Sequence, residues 1–283
     1  MKKEKLIKKQ PFKDKVAIIT GGSQGLGKAT AKYFVELGGS VCIIARRTEI
    51  LEEAANEINK VKLADSQFIE SIACDTTIMD KLKPLLTEFI EKYRIPDYLF
   101  NCIGYAYAEY VENLFLEDFK KNMEVNYYGQ LVPILILLPY FMKEKKGYIA
   151  NVSSMLGYMG LMGFATYVPS KYAVVGLSET LRNELKPYNI NISILYPPAM
   201  DTPGFEKENE TKPEECRIME ERGGLEKPED VAEFFVNGVL KERFNILPGE
   251  AKLIWRLNRH FPKIIRNWSD KSYKKARKRL GKK

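Results

Sequence analysis

Tyr167 and Lys171 stand four residues apart, a spacing that brings two side chains onto one helix face within reach of each other. A phenol titrates near 10 on its own, and an ammonium beside it stabilises the phenolate and draws that value toward working pH. The pair predicts a general acid able to hand a proton to a ketone oxygen, with Tyr167 as the donor. Many unrelated helices carry Tyr and Lys at this spacing, so the surrounding residues must be weighed with them. Ser154 lies thirteen residues upstream of Tyr167 at the end of an apolar run, and Asn126 sits inside a long helical stretch. Both residue types also cap strand ends and helices, and taken singly either role is open for each. The only histidine is His260, so a Ser-His-acid triad or a multi-histidine metal centre would hang on one residue; no metal site is expected.

A second constellation is suited to phosphate. Thr20-Gly21-Gly22-Ser23-Gln24-Gly25-Leu26-Gly27 closes one apolar run and leads directly into a helical pattern. Glycines there let the backbone turn tightly against a pyrophosphate whose charge rests on the helix N-terminus. Thr20, Gly21, Ser23, Gln24, Gly25, Leu26 and Gly27 are therefore candidate cofactor residues. The next apolar run ends in Ala45-Arg46-Arg47, where an NAD site would place an acid for the ribose 2′-hydroxyl. Two guanidiniums suit a 2′-phosphate instead, through bidentate hydrogen bonds. NADP(H) is the expected coenzyme, the alternative being a pair of solvated surface arginines.

The elements that must position these groups follow from periodicity. Short Val/Ile-rich runs at 15–20, 40–45, 68–74, 98–101, 148–152 and 191–196 are predicted strands. Between them, 25–37, 116–142 and 169–185 carry a 3.6-residue apolar repeat, and a further helix is expected at about 228–240. This alternation predicts an α/β fold, a single Rossmann-type doubly wound parallel sheet with helices on both faces. With 283 residues, 45% of them hydrophobic, the chain supports one such domain plus tails. The expected layout is a basic N-terminal tail at 1–11, the reductase domain at 12–245, a substrate lid at about 197–226 and a basic amphipathic tail at 246–283. The longest apolar run, 131–142, is shorter than the roughly 20 residues of a membrane span and reads as a buried helix. No secretion signal is expected, because the basic N-terminus leads into Lys13-Asp14-Lys15. Cys42, Cys74, Cys102 and Cys216 form no paired motif and suit reduced residues of a cytoplasmic protein.

The net charge of +8 is uneven. Residues 252–283 hold thirteen Lys or Arg against the single acid Asp270, a surplus of +12, so the remaining chain carries −4. Leu253, Ile254, Leu257, Phe261, Ile264, Ile265 and Trp268 form an apolar stripe there, with cations in the other phase and a break at Pro262. Such a segment fits the surface of an anionic membrane. It equally fits a helix packed on the domain or on a partner subunit. Nucleic acid is not expected as a partner, because only Tyr273 interleaves the last cations.

Together, T-G-x-x-x-G-x-G at 20–27, N-x-x-G at Asn101 and Gly104, Asn126, Ser154 and Y-x-x-x-K at Tyr167 and Lys171 resemble the short-chain dehydrogenase/reductase family over about residues 12–240. The resemblance implies that Tyr167 protonates the carbonyl oxygen, Ser154 holds that oxygen, and Lys171 binds the nicotinamide ribose while lowering the Tyr167 pKa. It further implies that Asn126 supports a water relay to Lys171, that Asp75 contacts the adenine, and that Asn101 and Gly104 line the cofactor cleft. Family members commonly pair through the helices bearing Asn126 and Tyr167, which implies a homo-oligomer.

The segment 196–213, with Pro198, Asp201, Thr202, Phe205 and Glu206, is similar to the lid of 3-ketodihydrosphingosine reductases, as is 160–164. Ala199-Met200 departs from the Asp-Thr of eukaryotic members. The similarity implies NADPH reduction of a long-chain aminoketone to sphinganine, at the cytosolic face of a membrane. Asp201, Glu206 or Glu208 would attract the substrate ammonium, the alternative being solvated loop charges. The other readings are a reductase of another hydrophobic ketone, such as a 3-oxoacyl thioester or a steroid, and a catalytically silent NADP-binding regulatory protein.

Overall fold

Val16–Thr20, in which every residue is buried, forms the central strand β1 of the computed structural model, which describes residues 3–220 and 223–282. The outermost residues of both expected tails, and Glu221 and Arg222 of the expected lid, lie outside the described residues. The other strands are β2 (Ser40–Ala45), β3 (Ile69–Ala73), β4 (Tyr98–Asn101), β5 (Gly147–Val152), β6 (Ile190–Leu195) and β7 (Asn245–Ile246). They pair in the order β3-β2-β1-β4-β5-β6-β7, all parallel, as the strand-helix alternation predicts. Only β7 escapes the sequence pattern, because two residues carry no period.

Side chains of the sheet divide between two cores. Ala17, Ile19, Val41, Ile43 and Phe100 face one, and Val16, Ile18, Cys42, Ile44 and Leu99 face the other, the alternation that the pleat imposes. Helices α1 (Lys3–Lys9), α2 (Gly25–Glu36) and α3 (Thr48–Asn59) cover the first face. The second is covered by α4 (Met79–Lys92) and by the apolar helix formed by α5 (Leu116–Met123), a π turn (Glu124–Tyr128) and α6 (Gly129–Glu144). Ile134, Leu137 and Phe141 of α6 are fully buried, so the apolar run is a core helix, although Leu116–Glu144 is long and apolar enough to cross a membrane.

The basic N-terminal stretch is a helix rather than a loose tail: Leu6 of α1 is buried, and Lys3 pairs with Glu36 at 2.8 Å. Next to it, Phe12 stacks on Phe34 with ring centroids 4.1 Å apart.

Helix α7 (Tyr167–Glu184) follows β5. Beyond β6 the expected irregular lid contains two short helices, α8 (Pro203–Glu208) and α9 (Glu214–Glu220). Helix α10 (Pro228–Leu240) returns to the first face and leads to β7. The basic C-terminal region forms α11 (Ala251–His260) and α12 (Pro262–Arg279), separated at the proline that the sequence marks as a break. It is docked on the domain: the Tyr158 hydroxyl donates to the Ala251 carbonyl at 3.1 Å, and Ile265 and Ala276 are buried. Lys282 Nζ reaches Glu215 Oε1 of α9 at 3.1 Å.

Candidate active site

Thr20 ends β1 beside Asn101, which ends β4, and the strand order reverses between the two. That reversal opens the crevice in which α/β folds of this kind bind ligands. The turn after β1 is shaped by glycine. Gly21 has φ +68°, and a Cβ on Gly27 would lie 2.1 Å from the Gly21 carbonyl oxygen, so the start of α2 packs directly on the turn. Gln24 makes no side-chain cap on α2, which leaves first-turn N–H groups for an anion.

At the rim of the crevice, Arg47 Nη2 donates to Gln24 Oε1 at 2.5 Å and Arg46 Nη1 lies 3.8 Å from Asp75 Oδ2. Both arginines are exposed at the end of β2. The structure thus gathers Gln24 of the expected phosphate loop with Arg46, Arg47 and Asp75, the residues expected at the adenosine end. Asp75 Oδ1 is already engaged, accepting from the Thr77 backbone N–H at 3.0 Å and its hydroxyl at 2.8 Å.

Asn101 differs from the expectation that it lines the cleft. It is fully buried, its amide donates to Asn151 Oδ1 at 2.9 Å, and Thr20 donates to its Oδ1 at 3.4 Å. It clamps β1, β4 and β5 together instead. Gly104 is on the cleft: a Cβ there would sit 3.5 Å from Lys171 Nζ and 3.8 Å from Asn126 Oδ1.

Asn126 lies in the π turn, where the widened backbone interrupts the continuous helix expected over 116–142; such turns cluster at functional sites. Its amide oxygen accepts from Tyr105 N at 2.7 Å, and its nitrogen donates to Tyr105 O at 2.8 Å and Ser170 Oγ at 2.9 Å. Ser170 went unnoticed in the sequence; its place one residue before Lys171 on α7 is the signal that could have found it.

Tyr167 and Lys171 occupy the first turns of α7, as their spacing predicts, with Lys171 Nζ 5.5 Å from the Tyr167 ring centroid. Lys171 is 2% exposed and donates one hydrogen bond, to Val152 O at 3.2 Å. Burial pulls its pKa down to about 7. Burial likewise raises the Tyr167 phenol above its ordinary value, a hydrogen bond with Ser154 lowers it, and the Glu208 carboxylate raises it further. In the protein alone, Ser154 is the neighbour whose hydrogen bond favours the phenolate. Ser154 also accepts from Leu156 N at 3.1 Å, so it caps and faces the phenol together.

The lid leans on the phosphate loop, since a Cβ on Gly25 would meet Thr202 Cγ2 at 3.1 Å. Thr202 caps α8 by accepting from Phe205 N at 3.2 Å. Pro198 and Phe205 are half-buried, whereas Asp201 and Glu206 are exposed. Ala199 and Met200 lie at the lid base, where Ala199 O accepts from Glu226 N at 3.1 Å. The sequence gives no sign of Lys212, which is 3% exposed amid a run of charge.

The residues present fit a dinucleotide: a left-handed glycine turn, an uncapped helix start, two rim arginines, and a buried ammonium that donates to Val152 O and keeps donor capacity to spare. The model of the short chain dehydrogenases matches residues 15–213. A 3-dehydrosphinganine reductase of Danio rerio is 36% identical over 242 residues, covering 84% of this chain and 73% of that one. A 3-ketodihydrosphingosine reductase of Bos taurus is 35% identical over 229 residues, covering 81% and 69%. Among solved structures, the apo form of LigD from Sphingobium sp. strain SYK-6 superposes with a TM-score of 0.75 at 26% identity, covering 90% of this chain and 97% of that one. With the family model matched over residues 15–213 and relatives above 30% identity over most of both chains, the chain belongs to the short-chain dehydrogenase family.

Proposed function

We propose that the chain reduces the 3-keto group of 3-ketodihydrosphingosine, giving sphinganine, with NADPH as the reductant. The observation that carries this is the convergence of Ser154, Tyr167 and Lys171 beneath the segment 197–226, in a chain with relatives of 35–36% identity over most of its length that are named for that substrate. The coenzyme is NADP(H), and the exposed Arg46 and Arg47 beside the phosphate turn are placed to hold its 2′-phosphate.

When bound, the coenzyme supplies the hydride that the carbonyl carbon receives. Ser154 donates a hydrogen bond to the carbonyl oxygen, fixing it against Tyr167, whose phenolic proton passes to that oxygen as it gains charge. Carbon thus acquires hydride and oxygen acquires a proton, which completes the alcohol. Lys171 has donor capacity left beyond its bond to Val152 and turns it toward the ribose. Asn126, held at both amide atoms by Tyr105 and steadied by Ser170, keeps the π turn and the start of α7 in register beside Gly104. Asp75 and the turn residues 20–27 seat the remainder of the coenzyme, and Pro198, Thr202 and Phe205 close over the substrate.

Two copies pairing through the exposed faces of α6 and α7 would cover Tyr128, Leu135 and Tyr172, each more than two-fifths exposed. The C-terminal helices dock the protein peripherally on an anionic membrane, where a water-insoluble substrate resides.

NADPH oxidation with 3-ketodihydrosphingosine beside an acetoacetyl thioester tests the reading. Turnover of the aminoketone is expected, and turnover of the thioester alone would overturn it. Replacing Tyr167 with Phe should lower that turnover by roughly a hundredfold to ten-thousandfold, the usual worth of a positioned acid, while NADPH binding by fluorescence persists.

A further inference from the structure

Three acids in the lid are candidates for contact with a cationic substrate, and the structure separates them. Asp201 and Glu206 are exposed, whereas the Glu208 side chain is only 14% exposed and lies 2.6 Å from Lys212 Nζ. Lys212 has a fully buried side chain and also reaches Glu220 Oε2 at 2.5 Å. Two carboxylates therefore share one ammonium. The cation sits between rings, 4.3 Å from the Phe205 centroid and 5.6 Å from that of Phe164.

Phe164 connects this cluster to the chemistry, since its ring lies 6.1 Å from that of Tyr167 and its carbonyl accepts from Tyr167 N at 3.1 Å. Glu208 is near enough to the phenol to raise its proton affinity. On the other side, Glu220 and Phe205 line a cleft of about 390 Å³ together with Ala199 and Leu225, a size within the usual range for small-molecule sites, about 300–1,000 Å³. The cluster spans from the proton donor to an apolar-walled opening.

Two half-buried carboxylates sharing one buried ammonium carry surplus negative charge, which a partly desolvated setting penalises until a proton or a second cation arrives. Burial does push the Glu208 carboxyl above its ordinary range despite Lys212. An aminoketone carries its ammonium on the carbon next to the carbonyl, so a substrate held at Tyr167 presents a cation on the same side as the acid facing that phenol.

Building on the aminoketone reading above, we propose that Glu208 is the specificity residue: it accepts the substrate ammonium, a second cation beside Lys212 that the Glu208–Lys212–Glu220 cluster lacks among the described residues, while Tyr167 serves the adjacent carbonyl. Lys212 keeps the two acids in place between Phe164 and Phe205. Glu220 holds part of the Lys212 charge, which leaves Glu208 free to bind.

The test compares wild-type and Glu208→Gln proteins in NADPH oxidation with 3-ketodihydrosphingosine and with the same hydroxyketone lacking the amine. The readout is the ratio of the two kcat/KM values. The ratio should fall about tenfold to a hundredfold in the variant, as for loss of one hydrogen bond to a charged group, with the change carried by KM of the aminoketone. An unchanged ratio, including equal losses on both ketones, overturns the proposal. Should Glu208→Gln fail to bind NADPH, Glu220→Gln decides, because pairing Lys212 with Glu208 alone neutralises the acid and must lower the same ratio. Wild-type protein that reduces both ketones equally well removes the Glu208 assignment while leaving the substrate reading intact. Wild-type protein that reduces neither removes the substrate reading itself.

Discussion

Lys171 is a lysine held out of water. It is 2% exposed, and burial holds its pKa at about 7 against 10.5 in a free side chain. Between those values an unfolded chain binds a proton that the fold releases, so stability rises with pH across that window. The penalty is fully present below about pH 7 and fades as pH approaches the free value. Coenzyme-free Lys171→Met protein should therefore be more stable than wild type at pH 6, by an amount on the order of 1 kcal/mol or more, and the gain should shrink as pH rises to about 10. Val152 O, which accepts from Lys171 Nζ, keeps its bond from Gln130 Nε2 at 2.9 Å in that variant. Urea titrations across the range check this, and a gain that does not vary with pH would contradict the buried-cation account. The same burial shows what spacing alone leaves open about the pair. Four residues on a helix place Lys171 beside the Tyr167 ring, but where the ammonium points depends on β5, whose Val152 carbonyl captures it.

Among the elements, the end of β2 and the start of α2 bring the rim arginines and the phosphate turn together. Arg46 and Arg47 close β2 and stand over the turn that begins α2, with Arg47 donating to Gln24. Neither is buried, so replacing both should leave stability nearly unchanged while weakening NADPH. A double Arg46→Ser, Arg47→Ser substitution should raise the NADPH Kd by roughly tenfold to a hundredfold, given the strength of charged hydrogen bonds to phosphate. The Kd for NADH should change by less than about threefold, because that coenzyme lacks the group the guanidiniums bind. Fluorescence titration with both coenzymes reads this directly, and a parallel loss for NADH would refute the assignment. The glycine turn, the strand that precedes it and the helix that follows were all plain in the sequence, because each depends on residues adjacent in the chain. The π turn was not. Its single extra residue leaves the apolar repeat of 116–142 almost intact, yet it aims Asn126 at Tyr105 and Ser170.

At the scale of the molecule, the C-terminal helices pack on the domain and leave an apolar row exposed. One side packs on the domain through Ala251, Ile265 and Ala276, while Leu253, Phe261, Ile264 and Trp268 stay 47–61% exposed. With a surplus of +12 over 252–283, that exposed row suits an anionic bilayer, where each cation near the surface adds about 1 kcal/mol. A Leu253→Glu, Ile264→Glu, Trp268→Glu variant should sediment with phosphatidylserine vesicles at least about tenfold less than wild type, since three apolar side chains of roughly 1.5–3 kcal/mol each are lost. Equal sedimentation would end the membrane reading. Substitution is the sounder test than truncation, because Lys282 is tied to Glu215 on the lid and removing the tail would disturb the site. From the sequence by itself came the strand-helix order, the phosphate turn, the rim arginines and the catalytic side chains, since periodicity, turn chemistry and helix spacing act over a few residues. Tertiary structure alone decided which lid acid turns inward, that Asn101 is consumed in clamping strands, and that the basic tail lies against the lid. Those outcomes rest on contacts such as Asn126 with Ser170 and Lys282 with Glu215, between residues far apart in the chain that only a closed core brings together.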